Sequence, residues 1–122
     1  MWSAFECVTY AEKAGYNDKA EHLFNTGFDA GKQFLSAVQA GTITEEEAKA
    51  SIPIGVSLLL GGPSHDFIIG RVFESAMRSA FDDIITKDAQ GLSLDIKDWI
   101  NDPELETSIA KGKYLQANCD IL

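Results

Sequence analysis

Three consecutive residues, Ser64, His65 and Asp66, are of the types that carry nucleophilic catalysis in hydrolases. A catalytic triad, however, brings together side chains from separated positions, and neighbouring residues at a helix start do not face one another. No nucleophile-elbow sequence surrounds Ser64. Helix capping explains the serine, and the helix dipole explains the aspartate. We therefore predict no catalytic residue here and assign Ser64, His65 and Asp66 to a candidate interaction surface.

The other residues that bind metals or cofactors form no recognisable motif. The chain has two histidines and two widely separated cysteines, whereas a zinc site needs closely spaced thiol or imidazole pairs. Phosphate-binding glycine loops, the dinucleotide fingerprint and the calcium loop are absent from the sequence. With nineteen acidic residues, any one pair of carboxylates carries little specificity. We predict no metal, cofactor or catalytic activity; an enzyme site assembled from scattered polar residues stays an alternative.

Cys7 and Cys119 lie near opposite ends of the chain. Because the termini of a domain often lie close together, we predict that these two cysteines form a disulfide. The alternative is two unrelated thiols, with Cys7 buried as a small apolar side chain. A disulfide implies an oxidising compartment, so we expect a periplasmic or secreted protein whose leader has been removed. Free thiols would instead indicate the cytoplasm.

Charge narrows the classes of partner. Nineteen acidic residues against ten basic residues give a formal net charge of −9, which disfavours direct binding to nucleic acid or to anionic lipid. Solubility explains part of this charge, and a basic protein partner is the more specific interpretation. No apolar run reaches the length of a membrane span, so we predict none.

Trp99 lies in a polar and acidic part of the sequence, next to Asp98 and close to Asn101. One interpretation is a tryptophan that covers the edge of the core, since tryptophan is largely buried on average. The other is an exposed aromatic anchor, the residue type enriched at interface hot spots. We add Trp99 to the candidate interaction surface with Ser64, His65 and Asp66.

Helix signals cover most of the chain, whereas the alternation typical of strands is almost absent. Capping boxes are expected at Ser3 and Thr44, and Asp102 is expected to cap a last helix. We predict an all-α single domain over residues 1–122, a bundle of five or six helices around a central helix at about 64–87. Its oligomeric state is left open.

Two further local patterns predict packing. Gly27 and Gly31 are four residues apart on the apolar face of the second helix, which indicates that another helix passes close to them. The stretch from Ile52 to Leu60 is apolar nearly all round and contains Pro53, so we predict a short buried helix there.

These observations favour a small acidic binding or inhibitor-type protein of the periplasm or cell exterior. Immunity proteins that cap toxic enzymes share this general size and charge, although the likeness rests on shape and charge and on no motif. The first alternative is a cytoplasmic acidic inhibitor that competes with nucleic acid for a basic groove, and it predicts reduced cysteines. The second is the enzyme with a scattered site, which predicts a polar pocket with perturbed carboxylates.

Overall fold

Helices begin where the sequence offers capping groups, and they make up nearly all of the regular structure. The computed structural model describes residues 1–122, apart from the side chain of Ser51. In order, the helices are α1 (Trp2–Ala14), α2 (Asn17–Gln39), α3 (Glu45–Ser51), α4 (Ile54–Ser57), α5 (His65–Ile85) and α6 (Pro103–Gln116), with short 3-10 helices at Ile96–Asp98 and Cys119–Ile121. Outside the helices, the described backbone forms a single β-bridge and no strand. The prediction of an all-α bundle is confirmed.

Three predicted caps are present. The hydroxyl of Thr44 accepts a hydrogen bond from the N–H of Glu47 at 3.1 Å, and the hydroxyl of Ser64 accepts one from the N–H of Phe67 at 3.1 Å. Asp102 likewise caps α6, which has a proline in its first turn. The expected box at Ser3 was wrong, because the cap of α1 is Met1, two residues earlier, and Ser3 lies inside the first turn.

The most enclosed helix is α1. Eight of its thirteen residues are buried, and it packs against α2, α5 and α6. The sequence instead placed α5 at the centre of the bundle, on the basis of its wide apolar stripe. In the structure α5 also contacts three long helices, but only six of its 21 residues are buried. The difference arises because the small side chains of α1, such as Ala4 and Ala11, let its neighbours approach from several sides.

Gly27 and Gly31 lie where other helices come close, as predicted. A Cβ atom at Gly27 would lie 2.6 Å from a ring carbon of Phe5, and one at Gly31 would lie 2.8 Å from the sulfur of Met1. Ile69 of α5 also approaches Gly31 to within 3.1 Å of that position. The two glycines therefore let α2 pack tightly against α1 and α5.

The short helix predicted within residues 52–60 is present, but the prediction that it is buried was wrong. The helix there, α4, has only four residues, and Val56 is its one buried side chain. Ile54 is 83% exposed and Leu58 is 76% exposed. A single helical turn directs Val56 into the core and leaves Ile54 and Leu58 in solvent. Ile52, Leu59 and Leu60, on either side of α4, pack partly buried against the core.

No helix in the described part of the chain is long and apolar enough to cross a bilayer.

Candidate interaction surface

The structure separates the residues predicted to form one surface. Ser64, His65 and Asp66 lie at the N-terminal end of α5. Trp99 lies beyond its C-terminal end, where the N–H of Ile100 donates to the carbonyl oxygen of Ile85 at 2.9 Å. A helix of this length spans about 30 Å, so the two groups occupy opposite ends of the bundle. They form two separate candidate regions rather than one.

The N-terminal region is explained by helix initiation. The Ser64 hydroxyl is engaged by the N–H of Phe67, and Asp66 lies in the first turn, where the helix dipole favours a negative charge. Half-exposed Phe67 is the large apolar side chain next to them. Among the residues that the structure describes, no second group turns this helix start into a binding site.

The predicted disulfide between Cys7 and Cys119 is present. The two Cα atoms are 5.7 Å apart, and both cysteines are buried. Cys7 lies in the enclosed face of α1, and Cys119 begins the last 3-10 helix. The sequence anticipated this pair from the position of the two residues alone.

Polar contacts hold the C-terminal turn beside the disulfide. The ammonium group of Lys19 lies 2.6 Å from a carboxylate oxygen of Asp120, and the hydroxyl of Tyr114 donates to the same oxygen at 2.8 Å. A ring nitrogen of His22 lies 3.3 Å from the carbonyl oxygen of Leu122. The hydrogen bonds from Lys19 and then Tyr114 hold the pKa of Asp120 below its usual value. No local sequence pattern indicates this cluster, because its members come from three separate elements.

This cluster predicts a pH dependence. Because the pKa of Asp120 is lower in the folded chain than in the unfolded chain, its contribution to stability is present above the ordinary aspartate range. That contribution is lost as the pH falls through the lowered pKa. Unfolding in urea at several acidic pH values should show that Asp120→Asn is less stable than the parent at neutral pH, with a gap that closes in acid. A gap independent of pH would contradict the assignment. The effect is expected to be small, because the pair is exposed.

A groove of about 400 Å³ opens between the last turns of α5, the following loop and α6. Its apolar wall is formed by Leu94, Ile100, Leu105 and Ile109. Charges inside the groove nearly balance. Asp83 and Lys87 lie 2.6 Å apart as an ion pair, Asp88 is used within the loop, and Lys113 lies on α6.

Backbone hydrogen bonds fix the loop that carries Trp99. One carboxylate oxygen of Asp88 accepts hydrogen bonds from the N–H groups of Gln90 and Leu92, both at 2.9 Å. The N–H of Leu94 then donates to the carbonyl oxygen of Thr86 at 2.7 Å. The loop is therefore held against the end of α5 at several points, which gives its side chains a defined position.

Trp99 is 41% exposed, and its indole N–H donates to the carbonyl oxygen of Leu94 at 3.2 Å. The bond fixes the orientation of the ring while leaving part of its face in solvent. Ile96, three residues earlier, is 78% exposed. Trp99 therefore combines features of a covering residue and of an exposed anchor, since its ring bonds to the loop backbone and also presents apolar surface.

The surroundings of Trp99 are strongly acidic. Residues 87–106 contain six carboxylates and two lysines, a net charge of −4. The six are Asp88, Asp95, Asp98, Asp102, Glu104 and Glu106. Among the residues that the structure describes, none of these six forms an ion pair. We call residues 87–106 the acidic segment; it combines unpaired negative charge, exposed apolar side chains and a groove.

A polar seam between α1 and α5 was missed by the sequence reading. The hydroxyl of Tyr10 lies 3.4 Å from Asp83, and the hydroxyl of Ser79 lies 3.4 Å from Glu6. Burial raises the pKa of the Glu6 carboxyl and that of the Tyr10 hydroxyl. The signal was a matching spacing of four residues on each helix, which can be recognised only once the two helices are known to be neighbours. The seam connects the two helices across their interface.

Three comparisons with known proteins found no relative: no family model, curated protein or solved structure matches this chain.

Proposed function

We propose that this chain is a small acidic binding protein of the inhibitor type, without catalytic activity of its own, whose partner is a basic protein. The observation that carries the proposal is the acidic segment. It presents Trp99 and Ile96 among carboxylates that make no ion pair within the described residues. Aromatic anchors supply binding energy at interfaces, and unpaired rim charges steer association with an oppositely charged partner.

We place this role in the periplasm or outside the cell. The buried disulfide supports an oxidising compartment, because such bonds are rare where glutathione and thioredoxin keep thiols reduced. The alternative of a cytoplasmic inhibitor that competes with nucleic acid requires both cysteines to be reduced. Mass measurement of the protein isolated from its native source, with thiols blocked at lysis, separates these two proposals.

Affinity capture with the oxidised chain as bait tests the binding role. The extract should come from the native source, and any captured protein should then be purified for calorimetry. We expect a basic partner whose affinity falls with salt. The variant Asp95→Asn/Asp98→Asn/Trp99→Ala should weaken binding by about tenfold or more, which corresponds to about 1.4 kcal/mol.

A matched control is available on α3. The variant Glu45→Gln/Glu46→Gln also removes two negative charges, but it removes them from the first turn of that helix, outside the acidic segment. It should bind the partner nearly as well as the parent. If both variants lose the same amount of affinity for the partner, net charge alone explains the effect of the first variant. A partner that is itself acidic, or a turnover activity of the chain alone, would contradict the proposed function.

A further inference from the structure

The acidic segment forms part of the lining of the groove and most of its apolar wall. Leu94, Ile100 and Leu105 belong both to its wall and to the acidic segment. Carboxylates flank these wall residues in the sequence, with Asp95 directly after Leu94 and with Glu104 and Glu106 on either side of Leu105. The chain on either side of these wall residues, which we call the margin, is therefore rich in negative charge, and Trp99 directly precedes the wall residue Ile100.

The charges inside the groove balance, whereas those on the margin are mostly negative, and this difference favours one type of occupant. Inside the groove, the Asp83–Lys87 ion pair neutralises itself, and Asp88 and Lys113 carry opposite charges. On the margin, outside the lining, the acidic segment carries five carboxylates and one lysine, Lys97. An apolar group alone would gain nothing from that margin, whereas cations on either side of an apolar group would meet it.

We infer that the groove binds a segment of the basic partner that places an apolar side chain between lysine or arginine residues. This inference rests on the proposed function and adds the location and the recognised chemistry. The apolar side chain contacts Leu94, Ile100, Leu105 and Ile109, and the flanking cations meet the carboxylates of the margin. Complementary charge sets the approach and orientation of the segment, and apolar burial holds it in place.

Gly112 provides a direct way to close the groove. It lines the groove on α6, and a Cβ atom at this position would meet nothing within 4 Å. A leucine there projects from an open helix face towards the space that the occupant needs. Replacing a helix-interior glycine also favours the helix, so Gly112→Leu is expected to fold. Gly70→Leu is the matched control, because Gly70 on α5 is equally open and is outside the groove lining.

The probe is a short fluorescently labelled peptide of lysine and leucine, titrated with the full oxidised chain and followed by anisotropy. Two control peptides replace its leucines by serine or its lysines by glutamate. We expect the lysine–leucine peptide to bind, and each control peptide to bind about tenfold more weakly or not at all. Gly112→Leu should weaken binding of the lysine–leucine peptide by about tenfold, while Gly70→Leu should leave it unchanged.

The outcomes separate this inference from the proposed function. If Gly112→Leu binds the peptide as tightly as Gly70→Leu does, the groove is not the binding site. The proposed function would still stand if a basic partner is captured and its affinity depends on Asp95 and Asp98. If the serine control binds equally well, charge alone is recognised, and the groove inference is overturned. If an apolar dye binds in the groove, is lost in Gly112→Leu and is not displaced by any peptide, the groove takes a small molecule, which also overturns the inference.

Discussion

Replacing both Cys7 and Cys119 with alanine is expected to lower the free energy of unfolding by about 2–5 kcal/mol, the usual cost of removing a native disulfide from a small domain. The bond joins residues 112 positions apart, and a loop of that order restricts the unfolded chain by about 4.7 kcal/mol in the chain-entropy description. Both cysteines are buried, so alanine avoids placing an unpaired polar group in the core. Denaturation in guanidinium chloride measures the difference.

Reduction of the parent protein provides the control for this prediction. In the presence of a strong reductant that is shown to open the bond, the parent and the double variant should differ by less than about 1 kcal/mol, since only two sulfur atoms then distinguish their packing. A parent and variant of equal stability without reductant would show that the bond contributes nothing. Loss of folding in the variant at 37 °C would agree with the upper part of the range.

Phe5→Ala is expected to lower the free energy of unfolding by about 3–5 kcal/mol, because it removes a fully buried ring from the enclosed helix. The ring of Phe5 meets the ring of Phe73 edge-on at 5.1 Å and lies 6.0 Å from the ring of Phe24. Alanine leaves a cavity between α1, α2 and α5. Phe67→Ala removes a half-exposed ring and should cost about 1 kcal/mol or less.

The close approach of Gly27 to Phe5 allows a sharper check. Gly27→Ala alone should destabilise the fold by about 1–3 kcal/mol, because its Cβ would lie 2.6 Å from the Phe5 ring. In the Phe5→Ala background that ring is gone, so the added methyl should cost less than in the parent. Strictly additive losses would show that the two residues do not share this contact in solution.

Local signals predicted the helix starts well and the packing less well. Thr44, Ser64 and Asp102 were identified as caps because each bond joins residues two or three positions apart in the chain. The predicted disulfide is present because the last 3-10 helix, which carries Cys119, packs against α1, which carries Cys7. The central position of α1 was not predicted, because enclosure depends on what packs from all sides, and the wide stripe of α5 resembled a more buried helix.

Exposed apolar residues were the main obstacle to predicting the surface. Ile54 and Leu58 read as core residues, since hydropathy does not reveal that a helix stops after one turn. The groove could not be found from sequence either, because its lining combines the end of α5, a loop and α6. Trp99 was singled out from its acidic neighbours, and the structure adds the groove and the exposed Ile96. The structure places Trp99 and Ser64–Asp66 near opposite ends of α5, so they form two candidate regions.

The disulfide also makes the oxidised chain topologically close to a ring. Its two ends are tied together through Cys7 and Cys119, and the exposed loop with Trp99 lies on the long arc between them. A single proteolytic cut in that loop would therefore release no fragment, since both pieces stay covalently joined. New chain termini at Gly91 would likewise leave the original ends joined by the disulfide. The backbone of the surface proposed for binding can therefore be broken without separating the molecule into two pieces.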